Sequence, residues 1–178
     1  MWFKKNKVHV IVWLSLGLLV IVSPLVYRMY IQRNSPLPHF EGTLPQVTTD
    51  ARMYVDVLRE VDETEHLYRL EGWGFLTEPV NLAPDDYERS VLLISDQHVF
   101  ALPASSVPRA DVAAVFKDLG LNLKNAGYSV SFNIEALPQA RYSIALLFTL
   151  PDGTQTRLDS KFVLYRTANT AVSSLGED

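Results

Sequence analysis

Cysteine is absent from the 178 residues, so the chain has no disulfide, no thiolate nucleophile and no zinc–thiolate site. Acidic residues are missing from positions 1–33, which nevertheless hold five of the sixteen basic residues: Lys4, Lys5, Lys7, Arg28 and Arg33. Catalytic patterns are missing too. There is no Gly-x-Ser-x-Gly and no His-Glu-x-x-His, and the four histidines (His9, His39, His66, His98) are scattered. Carboxylate pairs occur, but an acidic chain always contains some, so they do not point to glycoside hydrolysis. These absences lead us to expect no enzyme, no cofactor and no metal centre.

What the chain does contain is one long apolar run. Val8–Tyr27 is 20 residues without Asp, Glu, Lys or Arg, long enough to cross a hydrocarbon core of ~30 Å as a helix. It exceeds a signal-peptide h-region, and bulky Leu-Val-Tyr-Arg-Met-Tyr follows Pro24 in place of a small-x-small cleavage site. The expectation is an uncleaved anchor over 8–30, with the bilayer as partner. Lys4, Lys5 and Lys7 mark the 1–7 flank as cytoplasmic, and the rest is then extracytoplasmic on a single-pass cell-membrane protein. That remainder carries eleven basic and twenty acidic residues, a net of −9, which disfavours nucleic acid.

Residues 31–46 contain Pro36, Pro38 and Pro45. They read either as a semi-rigid stalk or as a loop lying against the following domain. From Ala51 the apolar period becomes two. Met53, Val55 and Val57 alternate with polar neighbours, and Leu67–Phe75 forms the next strand. Ser90–Ser95 and Val99–Leu102 make a hairpin closed near Asp96-Gln97, and Tyr128, Val130, Phe132 and Ile134 share one strand face. Tyr142–Leu150 and Thr156–Tyr165 flank a Pro151-Asp152-Gly153 turn. Only Asp111–Leu119 breaks the pattern, with Val112, Val115, Phe116 and Leu119 at helical spacing. The expected fold is mainly β: an antiparallel immunoglobulin-like sandwich of about seven strands with one short helix, over 47–166, and a disordered tail over 167–178.

Five residues stand out as candidate ligand or partner contacts. Trp73 alternates onto a mixed face with Arg69 and Glu71, where an exposed indole would stack on a sugar ring. Gly72 and Gly74 offer a bulge that turns it into the core instead, and the core placement is the expectation. Arg109 and Asp111 are spaced for a local ion pair, with Asp111 capping the helix at Val112. Asp85, Asp86 and Glu88 bear oxygen ligands suited to calcium, but without liganding spacing they read as a solvated loop.

The order Gly72-Trp73, Arg109-Ala110-Asp111-Val112, Gly127-Tyr128, then Leu137 ahead of Tyr142-Ser143-Ile144 resembles a small β-sandwich module of bacterial envelope proteins. There the pattern runs Gly-Trp-Ala, Arg-Pro-Asp-Val, Gly-Phe and Leu-x-x-Gly-x-Tyr/His-x-Ile, alongside cell-surface glycosyltransferases and wall amidases. Here Ala110 replaces proline, Tyr128 replaces Phe, and Gln139-Ala140-Arg141 lacks the late glycine. The resemblance covers roughly Ala51–Tyr165 and carries no catalytic residue. It implies a non-catalytic interaction module of the cell envelope, near surface glycan. The other expectation is a structural subunit of a membrane assembly that uses the anchor helix as its interface and so has a membrane-protein partner.

Overall fold

The computed structural model describes residues 20, 22–23, 36–78, 82–168 and 171–175. Two compact units divide the chain, Met1–Pro36 and Leu37–Asp178. The expected membrane anchor lies outside the described residues apart from helical Val20, Val22 and Ser23. Among the described residues no helix is long and apolar enough to cross a membrane.

The second unit is mainly β. Among the described residues nine strands form two antiparallel sheets: β1 (Ala51–Asp62), β2 (Leu67–Leu76), β3 (Glu88–Ile94), β4 (Val99–Pro103), β5 (Ser105–Val107), β6 (Gly127–Asn133), β7 (Arg141–Thr149), β8 (Gln155–Arg166) and β9 (Ala171–Leu175). The first sheet has the order β1-β2-β6-β5 and the second β4-β3-β7-β8-β9. Leu70, Val130 and Phe132 from the first sheet meet Val91, Leu93, Ile144, Leu146 and Leu164 from the second in one core. The alternation that marks β6 is realised, with Tyr128, Val130 and Phe132 all buried. Both expected hairpins form, one closed by Ser95 N–H donating to the His98 carbonyl at 2.8 Å and the other around Gly153 at φ 84°.

β7 and β3 read as continuous apolar runs because both of their faces are covered. On the outer face Leu92, Ala145 and Leu147 pack beneath Phe40 and Leu44, from the proline-rich stretch. That stretch is therefore a loop bound to the domain from Leu37 onward. Phe40 N–H donates to Val99 O at 2.8 Å and Ala101 N–H to Pro38 O at 2.9 Å, and Val47 bridges to Arg157 in parallel. The tail expected to be disordered supplies β9, paired with Phe162–Arg166 of β8. Both domain boundaries thus lie outside 47–166, and the strand count exceeds seven.

Two of the three register shifts among the described residues reshape the pattern. In β1 the register shifts between Val55 and Val57, leaving Asp56 unmatched. Val57 is thereby turned off the inward face, and Leu58 packs on the core instead. In β8, Ser160, Lys161 and Phe162 stand opposite the single residue Ile144. The Ser160 hydroxyl donates to the Ile144 carbonyl at 2.6 Å, satisfying an acceptor the ladder leaves free.

The short helix α1 spans Ala110–Val115, followed by a 3-10 turn at Lys117–Leu119 that Gly120 ends at φ 68°. It is shorter than the expected Asp111–Leu119, so the apolar stripe loses phase. Val112 is buried, while Val115 is 71% and Leu119 39% exposed. Its N-cap is Arg109, without a side-chain hydrogen bond, so Asp111 lies inside the first turn and is not the cap.

Candidate functional site

A cleft of about 400 Å³ opens where the edge of β1 faces β8, a size within the usual range for small-ligand sites. Its floor is aromatic. β2 places Trp73 opposite Tyr54 of β1 in register, with the rings stacked at 6.3 Å and 21°. Phe116, at the end of α1, lies 5.4 Å from Trp73. Phe75 packs beneath, 5.9 Å from Trp73 and 5.2 Å from Phe116. The opposite wall is the β8 bulge, which carries Lys161 and Phe162 into the lining. Phe162 meets Tyr54 edge-to-face at 5.3 Å.

Trp73 is partly buried and belongs to a second, smaller cluster with Phe75, Val112 and Leu123 on the outer face of the first sheet. Its expected place in the sandwich core is therefore corrected. Alternation along β2 is unbroken, so the indole stays on the outward side with Arg69 and Glu71. Gly72 and Gly74 make no bulge; they point inward where no Cβ fits. A Cβ on Gly72 would lie 2.2 Å from Tyr54 O and 2.6 Å from the Tyr128 hydroxyl, and one on Gly74 would lie 2.3 Å from Leu146 Cδ2.

The other four candidates are not in the cleft. Glu71 lies between Arg59 at 3.6 Å and Arg69 at 3.9 Å, and Arg69 Nε also donates to Ser131 Oγ at 3.3 Å. Arg59 is exposed, and Arg69 and Glu71 are half-buried on the outward sheet face. Arg109 forks onto Asp111 with bonds of 2.9 and 2.7 Å and also donates to Asp56, the bulged residue of β1. The hydrogen bond to Asp111 raises the Arg109 pKa, and Arg109 in turn holds the Asp111 carboxyl down at about 2. The expected ion pair is present. It clamps the α1 start to the β1 bulge and lines neither the β1/β8 cleft nor the one at the Ser95–His98 turn.

Two side chains with structural weight, Arg89 and Tyr87, carried no sequence signal of their role. Arg89, 5% exposed, donates to the carbonyls of Gly74 (3.2 Å), Ala126 (3.0 Å) and Asn125 (3.0 Å) and to Ser106 Oγ (2.8 Å), so it ties β3 to the first sheet. Burial lowers its pKa. Tyr128 and Tyr87 are buried phenols whose pKa values burial raises.

A second cleft of about 480 Å³ lies between the Ser95–His98 turn and Pro138–Arg141. Its Ser95 hydroxyl donates to the His98 carbonyl at 3.1 Å. The His98 ring packs on His39 and Phe100, 5.9 Å from each. No serine–imidazole hydrogen bond is formed there, which leaves the β1/β8 cleft as the better-built site. Asp86 accepts from Ala83 N–H at 2.7 Å and Asp85 from the Asn125 amide at 2.5 Å, so these carboxylates fasten their own loop. Among the described residues no group of three or more His, Cys, Asp or Glu is placed to hold a metal.

Comparison with protein-family models, curated proteins and solved structures returns no match for this chain. The reading of the site therefore rests on its own geometry.

Proposed function

We propose that the chain is a membrane-anchored, extracytoplasmic, non-catalytic interaction module of the bacterial cell envelope, binding envelope polymer in the β1/β8 cleft. The observation that carries this reading is the half-open aromatic floor of Tyr54, Trp73 and Phe116 facing Phe162. An apolar core has no need of an aromatic ring that is 47% exposed, as Tyr54 is. Stacking surfaces of that kind suit sugar rings, with one apolar face and polar edges. The anchor rests on the apolar run Val8–Tyr27, and the envelope setting on the resemblance at Gly72-Trp73 and Gly127-Tyr128.

The immunoglobulin-like part of the reading has two supports. Strand order β1-β2-β6-β5 against β4-β3-β7-β8 corresponds to A-B-E-D against C′-C-F-G. At the start of β7, in the position of strand F, Tyr142 bonds back to the backbone as a tyrosine corner does.

The test is co-sedimentation of the full-length chain, in detergent micelles, with purified cell-wall sacculi. The chain should pellet with the sacculi, and Trp73→Ala should reduce the pelleted fraction. A chain that stays in the supernatant, yet leaves solubilised membranes with a stoichiometric protein partner, would replace this reading with the structural-subunit one.

A further inference from the structure

The β1/β8 cleft is electropositive in an acidic domain. Two cations rim it, Arg52 from β1 and Lys161 from the β8 bulge. The Arg52 guanidinium lies 5.8 Å from the Phe116 ring centroid, a cation–π placement that holds the charge beside the aromatic floor. Among the described residues neither cation has a carboxylate partner; the ion pairs elsewhere use Arg59, Arg69, Arg109 and Arg157. The single carboxylate in the lining, Asp159, is taken by Arg157 Nε at 3.0 Å. Beyond position 33 the chain has eleven basic and twenty acidic residues, whereas this lining holds two cations and one carboxylate.

We infer that this cleft binds an acidic saccharide, with a sugar ring stacked on Trp73 and Tyr54 and its carboxylate held between Arg52 and Lys161. The inference rests on the interaction-module reading and narrows it to one ligand class. Donors and π faces are what the lining offers. A ligand rich in hydroxyl and carboxylate oxygens supplies the matching acceptors, and a pyranose CH face supplies the apolar surface. A peptide is matched less well. Its amide N–H groups find one half-exposed carboxylate, Asp159, already bonded to Arg157, and the flat floor has no closed pocket for an anchoring side chain. The β8 bulge is the specific device. Without the two extra residues, Lys161 and Phe162 would follow the ladder and not stand opposite Ile144 with Ser160.

The experiment is calorimetric titration of the full-length chain in phosphatidylcholine nanodiscs with oligogalacturonate and with its methyl ester. The two probes share their rings and differ in charge. Oligogalacturonate should bind, and methyl esterification should weaken it about tenfold, as loss of two exposed charge contacts does. The double variant Arg52→Gln/Lys161→Gln should lose the same about tenfold, while Arg59→Gln, away from the cleft, stays within about twofold. Both substituted side chains are exposed, so the fold is retained. Equal binding of acid and ester would overturn the acidic-ligand inference and leave the module standing. Binding of polyglutamate without oligogalacturonate would overturn it in favour of an acidic peptide. Sacculus co-sedimentation with no uronate binding would sink this inference alone; failure of both would sink the module reading as well.

Discussion

The Tyr142 hydroxyl donates to the carbonyl oxygen of Pro138 at 2.8 Å, across the turn that leads into β7. The Tyr142 ring is fully buried, so this bond is a polar anchor of a large apolar group at a sheet corner, where the Ser95 side chain also meets the hydroxyl. Tyr142→Phe keeps the packing and deletes the bond. The expected loss is about 1 kcal/mol, the net worth of one such hydrogen bond, because exposed Pro138 regains water. Urea unfolding of a 37–178 fragment measures it. An unchanged midpoint would remove the corner from the list of features that hold β7.

The domain boundaries make a second prediction. A fragment of residues 37–178 should fold cooperatively, whereas 47–166 should be markedly less stable. The shorter fragment lacks Phe40 and Leu44 over Leu92, Ala145 and Leu147, and lacks β9 against β8. Uncovering those two apolar side chains costs several kcal/mol by area, at ~25 cal/mol per Å². Equal midpoints for the two fragments would show that the outer layer adds nothing.

The sheet strands were legible where one face only is buried, as in Tyr128, Val130 and Phe132. Period two is the direct consequence of that geometry. The pattern failed where the chain departs from a simple ladder. Val57 is turned off the inward face by the extra residue Asp56, and nothing in the local sequence announces a bulge there. For Phe40 and Leu44 the sequence left a stalk and a docked loop equally open, because their partners, Leu92 and Leu147, are far away in sequence. For the site, Trp73 was visible, but Tyr54, Phe116, Phe162, Arg52 and Lys161 were not. Cross-strand register and the β8 bulge bring them together, and both are long-range properties. One weak signal existed: Asp159-Ser160-Lys161 interrupts the apolar alternation of β8.

Alkaline pH should unfold the domain through its buried phenols. Burial raises the pKa of Tyr87 and Tyr128 above the ordinary 10.0. The folded state thus favours the protonated phenol. The stability from these groups is complete below pH 10, and is lost as pH rises through their folded values. Absorbance at 295 nm of the 37–178 fragment should show Tyr87 and Tyr128 ionising above pH 10. A delayed fraction should appear together with loss of β-type circular dichroism. All phenols titrating together near 10, with the fold intact, would contradict the burial of these two rings.

Asp111 makes the opposite dependence at acid pH. Its carboxyl, held at about 2 by Arg109, lies below the ordinary 3.8. The stability from this carboxylate is present above pH 3.8 and is lost as pH falls through about 2. A carbon-13 NMR titration should place the Asp111 midpoint near 2. Arg109→Gln should return it toward 3.8, since the guanidinium fork is the largest cause of the depression. An unchanged midpoint in that variant would mean the fork does not form in solution.

Gly72 tests how closely β1, β2 and β6 approach. It lies opposite Val55 on one side and Tyr128 on the other, with normal extended backbone, so conformational freedom is not what it supplies. It supplies space. A methyl group there would meet the carbonyl oxygen of Tyr54 at 2.2 Å, and a backbone carbonyl in a sheet ladder has little room to yield. At Gly74 the nearest atom is the end of the Leu146 side chain, while the closest backbone atom is Arg52 O at 3.4 Å. Gly72→Ala should therefore cost about 3 kcal/mol, the upper part of the usual overpacking range, and Gly74→Ala about 1 as Leu146 changes rotamer. Because Tyr54 forms half of the stacked floor, the Gly72 variant should also red-shift Trp73 emission in the 37–178 fragment, where Trp73 is the only tryptophan. A Gly72→Ala protein as stable as the parent, with unchanged emission, would mean the sheet relaxes away from Tyr128 and the cleft does not depend on this contact.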